Sequence, residues 1–510
     1  MSPDLAVNTE EIKAAFGNSS DLALREMRVG ARGTVSVLVV HIDGLVDKRL
    51  LVEMVIERIT DAERDWSGAK EAYEDLKARL LATSGVEEVD SLDDFVDGVA
   101  RGDGGVLIDG VGKGLVCAVR GWEHRAVEEP TSEATVRGSK EGFVEALRTN
   151  TSLLRRRIMG PQLRIEEMTI GRITRTRVAV AYVEGVANEK IVQEVRNRLK
   201  RIDVDAIHES GTIEEFIEDA PLSPFPTVWR TERPDRVTSG LLEGRVAVLT
   251  DGTPFALVVP ATFTMFLTSS EDYYERYFIG SAIRLLRTAA FIISLTLPAF
   301  YVAVTTFHQE MLPTPLVLSI AAQREGIPFP AVVEALLMEF VFETLREAGI
   351  RLPRIVGQAV SIIGALVVGD AAIRAGLASP AMVMVVAFTG IASFATPVFS
   401  LAIAARLLRF LLTALGGALG LFGVVGGLFA IFIHLTCLRS FGVPYLEPLA
   451  PMVFSDLKDA LVRAPWWAMR TRPQYIGGKA PIRQAPGLRP RPSPPEEREI
   501  HHLDDLEDEE

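Results

Sequence analysis

Residues 288–307 contain no ionised side chain, whereas the sequence before them has the composition of an ordinary charged, water-soluble protein. A helix needs about 20 mostly apolar residues to cross the hydrocarbon core of a bilayer, and this stretch supplies them. Arg284 and Arg287 stand immediately before it, as basic residues often do beside a membrane helix. The sequence therefore predicts a soluble half followed by a membrane half, and a function at a bilayer.

The overall composition averages these two unlike halves. The net charge is -13, and no basic run with interleaved aromatic residues occurs, so nucleic acid is not expected as a partner. Cys117 and Cys437 fall in different halves, which argues against a disulfide framework or a metal site, and no cofactor is predicted. The first 16 residues lack a continuous apolar core, so no cleavable signal peptide is predicted. The soluble half is therefore expected in the cytoplasm.

The soluble half contains an internal duplication. Val37-Leu-Val-Val-His-Ile-Asp-Gly44 corresponds to Val178-Ala-Val-Ala-Tyr-Val-Glu-Gly185, 141 positions later, and a helix-start residue follows each copy. Two Asp-Gly turns between apolar strands, at Asp109 and Asp251, lie 142 positions apart and predict hairpins. Chance similarity between generic units is the alternative, and the nearly equal offsets argue against it. The predicted fold class is an α/β soluble region of two duplicated subdomains followed by an α-helical multi-pass membrane domain.

No set of residues for catalysis is recognised. Gly110-Val-Gly-Lys-Gly114 is not a phosphate-binding loop, because glycine follows Lys113 where Ser or Thr is required. The seven histidines are scattered, and His501 and His502 lie in the tail, so neither a hydrolase triad nor a zinc site is predicted. The chain is therefore not expected to be an enzyme.

Beyond the first predicted span, three further candidate spans cover residues 355–369, 375–405 and 410–433. Arginine clusters flank these runs, and the positive-inside rule cannot place every cluster in the cytoplasm if each run crosses once. One segment is therefore expected not to cross. The end of the chain is rich in proline and arginine and then in acid, and is expected to be disordered. The predicted domains are 1–130 and 138–285 (the two cytoplasmic α/β subdomains), 286–475 (membrane domain) and 476–510 (tail).

Residues 329–348 form a predicted acidic helix, in which four carboxylates interrupt an otherwise apolar sequence. They are Glu334, Glu339, Glu343 and Glu347. Each would cost about 2.5 to 3.5 kcal/mol at the bilayer centre, too much for four that face lipid, and the last three share one helix face. Two interpretations stay open: an amphipathic or re-entrant helix at the headgroups, or a ring of acids that collects cations at a pore mouth.

A stripe of five residues recurs at spacings of three and four after Ser379. It consists of Met382, Val386, Thr389, Ser393 and Thr396. In a ring of identical chains the hydroxyls would line a pore, and Met382 and Val386 would form a hydrophobic constriction that gates by dewetting. The alternative is that the small and hydroxyl side chains mediate close helix packing in lipid.

Long, unusual strings occur in both halves. In the soluble half they are Gly138-Ser-Lys-Glu-Gly-Phe143, Ser223-Pro-Phe-Pro226, Thr231-Glu-Arg-Pro-Asp235, Asp251-Gly-Thr-Pro254 and Glu271-Asp-Tyr-Tyr-Glu-Arg276. In the membrane half they are Leu297-Pro-Ala-Phe-Tyr-Val-Ala303, Arg324-Glu-Gly-Ile-Pro-Phe-Pro330, Arg346-Glu-Ala-Gly-Ile-Arg-Leu-Pro353 and Ser440-Phe-Gly-Val-Pro-Tyr445. In kind and order they resemble the spore germination protein A-subunit family (the GerA family). Ser139, where the family commonly has proline, is a small departure.

The resemblance implies an A subunit of a germinant receptor in the inner membrane of a dormant spore. Its implied partners are a transporter-like B subunit that senses nutrient and a lipoprotein C subunit. Several copies would form a homo-oligomeric ring in the membrane lipid, a nutrient-gated ion channel that releases monovalent cations to start germination. We expect the dense charges of two motifs to form subunit contacts, with solvated turns as the alternative. These residues are Glu232, Arg233, Asp235, Asp272, Tyr273, Tyr274 and Arg276.

Two other functional classes are open. A paralogous family member that amplifies germination without sensing nutrient would carry the same strings. A non-conducting membrane scaffold is the second class. A carrier is less favoured, because the inverted halves and paired broken helices of secondary transporters are not recognised in this sequence.

Overall fold

The computed structural model describes residues 1–17, 19–30, 33–60, 66–81, 85–121, 133, 135, 137–352 and 367–491. Most of the candidate span 355–369 lies outside the described residues. The tail from residue 492, with His501 and His502, does so as well.

Two five-stranded antiparallel sheets form the soluble half. The first consists of β1 (Leu22–Val29), β2 (Val35–Ile42), β3 (Val86–Val89), β4 (Gly104–Ile108) and β5 (Gly114–Cys117). The second consists of β6 (Leu163–Ile170), β7 (Thr176–Val183), β8 (Trp229–Thr231), β9 (Val246–Thr250) and β10 (Ala256–Val259). The strand orders are β1-β2-β4-β5-β3 and β6-β7-β9-β10-β8, so each strand has a counterpart at the same place in the other sheet. The predicted duplication is therefore confirmed, together with the hairpins at the two Asp-Gly turns.

Helices accompany both sheets. Those of the first subdomain are α1 (Leu5–Phe16), α2 (Lys48–Leu50, continued by Leu51–Ile56 and Glu57–Thr60), α3 (Ala69–Leu81) and α4 (Leu92–Ala100). Those of the second are α5 (Leu147–Arg157), α6 (Glu189–Arg201), α7 (Ser210–Ile217), α8 (Pro234–Glu243), α9 (Phe263–Leu267) and α10 (Glu271–Tyr274). The side chains of Asp47 and Asn188 accept hydrogen bonds from the first turns of α2 and α6, so both predicted helix starts are confirmed.

The central strands are apolar throughout because both faces of each sheet are covered. Along β7, Ala179 and Ala181 point into one core and Val178, Val180 and Tyr182 into another. Successive side chains of a strand alternate between faces, so a strand buried on both sides needs a continuous apolar run. This explains why the two duplicated strings lack the alternation of a half-exposed strand.

The helical region follows the second sheet. Its helices are α11 (Tyr277–Phe307), α12 (Thr314–Arg324), α13 (Ala331–Arg351), α14 (Pro380–Phe394) and α15 (Phe399–Cys437), and residues 367–374 are also helical. Within the described residues, α11 and α15 are the helices long and apolar enough to cross a membrane. One buried cluster includes Ala181 of β7, Phe266 of α9, Leu295 of α11 and Leu412 of α15. The soluble and helical parts therefore share a core.

Helix α15 folds back on itself at Gly420. This glycine has φ 63° and ψ -148°, outside the helical region and rarely accessible to other residues. A Cβ atom on Gly427 would lie 2.6 Å from Leu412 Cδ2, whereas a straight helix would hold these two residues about 22 Å apart. The residues on either side of Gly420 therefore form two antiparallel limbs. Residues 410–433 are not the single crossing that the sequence suggested.

The hairpin changes how many helical limbs separate the arginine clusters. At the turn, Gly420 lies against Phe307 and His308, at the end of α11 remote from the soluble half. The second limb returns to the second subdomain, where His434 Nε2 lies 2.8 Å from Ser223 Oγ. Two limbs instead of one thus connect Arg409 to the basic residues that follow Cys437. The expectation that one segment does not cross stays a prediction.

Helix α13, the predicted acidic helix, packs lengthwise against the first limb of α15. Gly417 lies against Val332 near the start of α13, and Arg406 contacts Glu343 eleven residues later in α13. The two helices are therefore antiparallel over most of the length of α13. This packing is not that of a helix lying flat across the ends of the spans.

The chain after Cys437 returns to the second subdomain. The short strands β11 (Arg439–Ser440) and β12 (Val443–Pro444) begin this C-terminal segment. Ser440 Oγ accepts a hydrogen bond from Ala261 N at 2.9 Å, Gly477 forms a β-bridge with Ala187, and Ile476 is buried. The helical region therefore ends at Cys437 instead of residue 475. The predicted tail begins too early, because residues 476–483 are still packed on the protein.

Candidate functional site in the helical region

Glu334 of α13 is buried and holds the start of α14. Its Oε1 accepts hydrogen bonds from Ser379 N at 2.6 Å and from Ser379 Oγ, and Arg324 Nε lies 3.6 Å from Oε2. Ser379 is also the N-cap of α14. The Glu334 carboxylate therefore joins α12, α13 and α14.

Five further side chains form what we call the charged cluster: Glu339, Glu343, Arg346, Arg406 and Arg409. Arg409 Nε lies 3.5 Å from Glu339 Oε1, and Arg409 Nη2 donates to Glu343 Oε1 at 3.0 Å. Arg406 Nη1 lies 3.4 Å from Glu343 Oε2, and Arg346 also donates to that oxygen. Glu343 therefore accepts from three arginines that come from two helices.

The electrostatics of the charged cluster are unusual for apolar helices. Glu339 and Arg409 are at most 2% exposed, and neither Glu339 oxygen accepts a hydrogen bond from any described residue. Separating a buried ion pair leaves an uncompensated charge and costs about 3 to 5 kcal/mol. The cluster contains three arginines and two glutamates, so its net charge is positive when all five are ionised.

The four predicted acids thus divide between two environments. Glu334 and Glu339 are fully buried, and Glu343 is largely covered by its arginine partners. Glu347 is exposed and pairs with Arg351 at 2.6 Å. The spacing of the acids placed Glu339 and Glu343 correctly on the face that meets α15. In this conformation their partners are arginines of the same chain, and a cation-collecting role stays a prediction.

The hydroxyl stripe of α14 lies on one helix face, as its spacing indicated. All five members, Met382, Val386, Thr389, Ser393 and Thr396, are at most 8% exposed, and Met382 and Val386 share a core with Val302 of α11 and Ala335 of α13. In this arrangement the stripe faces the interior of its own chain. Its pore-lining role stays a prediction and requires a conformation in which this face turns away from α13.

The motif containing Glu232, Arg233 and Asp235 is buried in the second subdomain. Arg233 donates to Asp235 through Nε at 3.1 Å and Nη2 at 2.8 Å, and also to Ser139 O. Tyr274 Oη donates to Asp235. These interactions lie within one chain, so the alternative of solvated turns is wrong for this motif. Its proposed subunit contacts would need surfaces other than these buried side chains.

Asp272 lies at the junction of the soluble half and the first long helix. Its carboxylate is 3.2 Å from Arg284 Nε and 3.1 Å from Arg287 Nη1. The C-terminal segment completes the junction, because Arg284 Nη1 donates to Asp459 Oδ1 at 2.9 Å and Arg463 Nη1 donates to Asp272 O at 2.8 Å. We call these five residues the latch. It joins α10, α11 and the C-terminal segment.

A tyrosine and an exposed arginine lie beside the latch. Tyr273 Oη donates to Asp459 Oδ2 at 2.8 Å, and burial raises the pKa of the Tyr273 phenol. Burial also raises the pKa of Asp459, although Arg284 opposes the shift. Arg276 is exposed and precedes α11. It is therefore the member of the predicted contact set that is most open to another subunit.

Sequence reasoning missed Arg409, Asp459 and Arg463 as partners of the predicted residues. Each lies 66 or more positions from the predicted residues that it contacts. The available signal was the occurrence of Arg406 and Arg409 inside apolar sequence, where a charged side chain requires a counter-charge. In the sequence, those arginines were interpreted as topology signals alone.

These features define a class of protein in which a duplicated α/β domain is fixed by buried ion pairs to apolar helices of membrane-spanning length. The chain belongs to the GerA family, because the family model described as Bacillus/Clostridium GerA spore germination protein matches residues 10–475. The resemblance inferred from the sequence strings is confirmed.

Two relatives agree with this membership. Spore germination protein KA of Bacillus subtilis (strain 168) is 48% identical over 97% of this chain and 90% of the relative. Spore germination protein B1 of the same organism is 40% identical over 94% of this chain and 99% of the relative. The crystal structure of the N-terminal domain of the A subunit of the Bacillus megaterium spore germinant receptor GerK3 aligns at 35% identity and a TM-score of 0.42. It covers 52% of this chain and 97% of that one.

Proposed function

We propose that the chain is the A subunit of a spore germinant receptor and that several copies form a ring that conducts monovalent cations when nutrient is sensed. The observation that carries this proposal is Glu339, a fully buried carboxylate in a bundle of apolar helices whose oxygens accept no hydrogen bond from the described residues. Ionisable groups at membrane depth are costly and commonly mark ion pathways. Family membership supplies the biological setting.

The conformation fits a closed state of such a channel. The charged cluster has an excess of arginine, and a positively charged constriction repels cations. Met382 and Val386 of the stripe pack against α11 and α13, and Arg346 of α13 donates to Ser393 Oγ at 3.4 Å. Opening would move α13 against α14 and α15, separate Glu343 from its arginines and expose the hydroxyls to water. The acids would then be available to cations.

The proposed location is the inner membrane of the spore, with the soluble half on the cytoplasmic side. Arg284 and Arg287 lie beside the second subdomain, and Arg463 lies in the segment that returns to it. Basic residues at one end of a helical bundle favour the cytoplasmic side. The partners in this proposal are a transporter-like B subunit, a lipoprotein C subunit and further copies of this chain.

Potassium efflux from liposomes tests the proposal. The purified chain, reconstituted with its B and C subunits, is compared with Val386→Ala in the buried stripe and Ile391→Ala on the exposed face of the same helix. We expect Val386→Ala to raise efflux severalfold without nutrient, because it removes apolar packing that holds α14 against α11 and α13 in the closed conformation, and Ile391→Ala to behave as the wild type. A correctly folded complex that never releases potassium, in any variant and with spore nutrients present, would favour the scaffold function.

A further inference from the structure

A cavity of about 180 Å³ with a mixed polar and apolar lining lies between the second subdomain and the C-terminal segment. Trp229, Arg236 and Ser270 line it from the subdomain, and Glu447 and Asp456 line it from the segment. An engineered cavity of about 150 Å³ is known to hold benzene, so this volume suits a molecule of roughly six to ten non-hydrogen atoms. The cavity is outside the helical site described above.

Three nearly buried residues that line this cavity carry polar atoms without a hydrogen-bond partner among the described residues. Trp229 Nε1, Ser270 Oγ and Glu447 Oε2 have no hydrogen-bond partner in the described part of the chain, and their residues are 1%, 7% and 2% exposed. Buried polar atoms without a partner are rare in folded proteins. An indole N–H only donates and a carboxylate only accepts, so a matching ligand needs both an acceptor and a donor.

Five carboxylates and three arginines, Arg236, Arg245 and Arg483, line the cavity, and this excess of acid favours a cationic donor. Asp235, Glu243 and Asp459 also line the cavity, and each pairs with an arginine. Glu447 and Asp456 have no basic group within 4.0 Å among the described residues, and both are largely buried. A buried carboxylate is stabilised by an opposite charge. A metal ion fits poorly, because the Trp229 N–H offers it no lone pair.

We propose that this cavity binds a small organic ammonium compound that also carries a hydroxyl or carboxyl oxygen. The ammonium group would contact Glu447 and Asp456, and the oxygen would accept from Trp229 Nε1. This proposal stands independently of ion conduction. It does bear on regulation, because Tyr273 and Asp459 line the same cavity and connect it to the latch. An occupied cavity would hold the C-terminal segment against the second subdomain and the base of α11.

The direct test uses two probes of similar shape and different charge. Tris(hydroxymethyl)aminomethane has an ammonium group and three hydroxyls, and pentaerythritol has a fourth hydroxymethyl group in place of the ammonium. The full chain in lipid nanodiscs and phosphate buffer is titrated calorimetrically. The ammonium probe should bind saturably with a Kd on the order of 10 mM or lower. Pentaerythritol should bind about tenfold more weakly or not at all.

Variants assign the binding to the cavity. Glu447→Gln retains an acceptor for Tyr475 N and removes the charge. It should therefore lower the affinity for the ammonium probe about tenfold and leave the affinity for pentaerythritol unchanged. Trp229→Phe should lower the affinity for both probes. Asp203→Asn, at an exposed ion pair with Arg172, is the control and should change neither. The proposal is overturned if the ammonium probe does not saturate, if the two probes bind equally, or if Glu447→Gln binds like the wild type.

Discussion

Arg155, Arg233, Arg284, Arg409 and Arg463 are almost fully buried, and each guanidinium joins segments that are distant in the sequence. A guanidinium presents five N–H donors in one plane and remains charged at any physiological pH. It can therefore satisfy a carboxylate and nearby backbone carbonyls at the same time. At the scale of single residues, these arginines connect the two subdomains, the helices and the C-terminal segment.

Arg155 tests how strongly burial determines the contribution of an ion pair to the free energy of unfolding. It donates to Asp21 through Nε at 2.7 Å and Nη2 at 2.9 Å, across the boundary between the subdomains. Arg155→Ala should lower the free energy of unfolding by about 3 to 5 kcal/mol, because it leaves Asp21 buried without its partner. Arg172→Ala, at a similar but exposed pair with Asp203, should cost about 0 to 1 kcal/mol. Equal shifts in denaturant unfolding of the two variants would contradict this role of burial.

Glu447 should make the stability of the folded chain depend on pH. Burial raises its pKa to about 7, although Arg245 opposes the shift. Between about pH 4.5 and pH 7 the folded chain retains a proton that the unfolded chain releases, so stability should fall as pH rises, by about 3 kcal/mol. Glu447→Gln should remove this loss. Melting temperatures in nanodiscs at about pH 5 and pH 8 measure this loss of stability. An identical pH dependence in the variant would refute its assignment to Glu447.

The pairing of these residues could be predicted only in part from the sequence. Spacing placed Glu339 and Glu343 on one helix face, since helix periodicity is a local property. It could not identify Arg409 as their partner, because that choice depends on how α13 packs against α15. Burial of Arg233 and Asp235 was also missed. Dense charge usually indicates a solvated surface, and only the tertiary fold supplies the mutual pairing that permits burial.

At the scale of elements, the duplicated sheets were predictable and the hairpin of α15 was not. Strand runs, N-caps and Asp-Gly turns are local signals, so both copies were recognised. Gly420 has glycine neighbours at Gly416, Gly417, Gly423 and Gly426, and nothing local distinguishes the one with positive φ. The turn packs against Phe307, the last residue of α11, and His308, which follows it.

A disulfide crosslink tests the hairpin. Leu412→Cys combined with Gly427→Cys, in a Cys437→Ser background, should crosslink under mild oxidation, because the two limbs touch at these positions. A continuous helix would hold them about 22 Å apart, far beyond the reach of a disulfide. Leu411→Cys with Gly427→Cys is the control, since Leu411 is exposed. Mass spectrometry that finds no crosslink in the first pair would rule out the hairpin.

At the scale of the whole molecule, the C-terminal segment packs on the soluble half. Ser440, Arg463 and Gly477 all contact the second subdomain or the base of α11. In a membrane the soluble half and this segment must therefore lie on the same side, which requires an even number of crossings. The latch is the point where the three parts meet, so it can transmit movement of the soluble half to α11.

Asp272→Asn tests the latch as a restraint on the helices. The substitution removes the carboxylate partner of Arg287 and one of two carboxylate partners of Arg284. We expect potassium efflux without nutrient, because α11 is released from the soluble half. Asp370→Asn, at an exposed pair with Arg374 in the helical region, is the control and should not leak. If liposomes that contain correctly folded Asp272→Asn protein release no potassium without nutrient, the latch does not control gating.

The measurement that tests the account most directly is the mass of the particle that the chain forms in native bilayer nanodiscs. A conduit built from the acids and hydroxyls of several helices requires several copies around water. We predict particles that contain multiple copies of this chain, with or without the partner subunits. Particles that contain a single copy, with Glu339 inaccessible to water, would contradict the proposed channel.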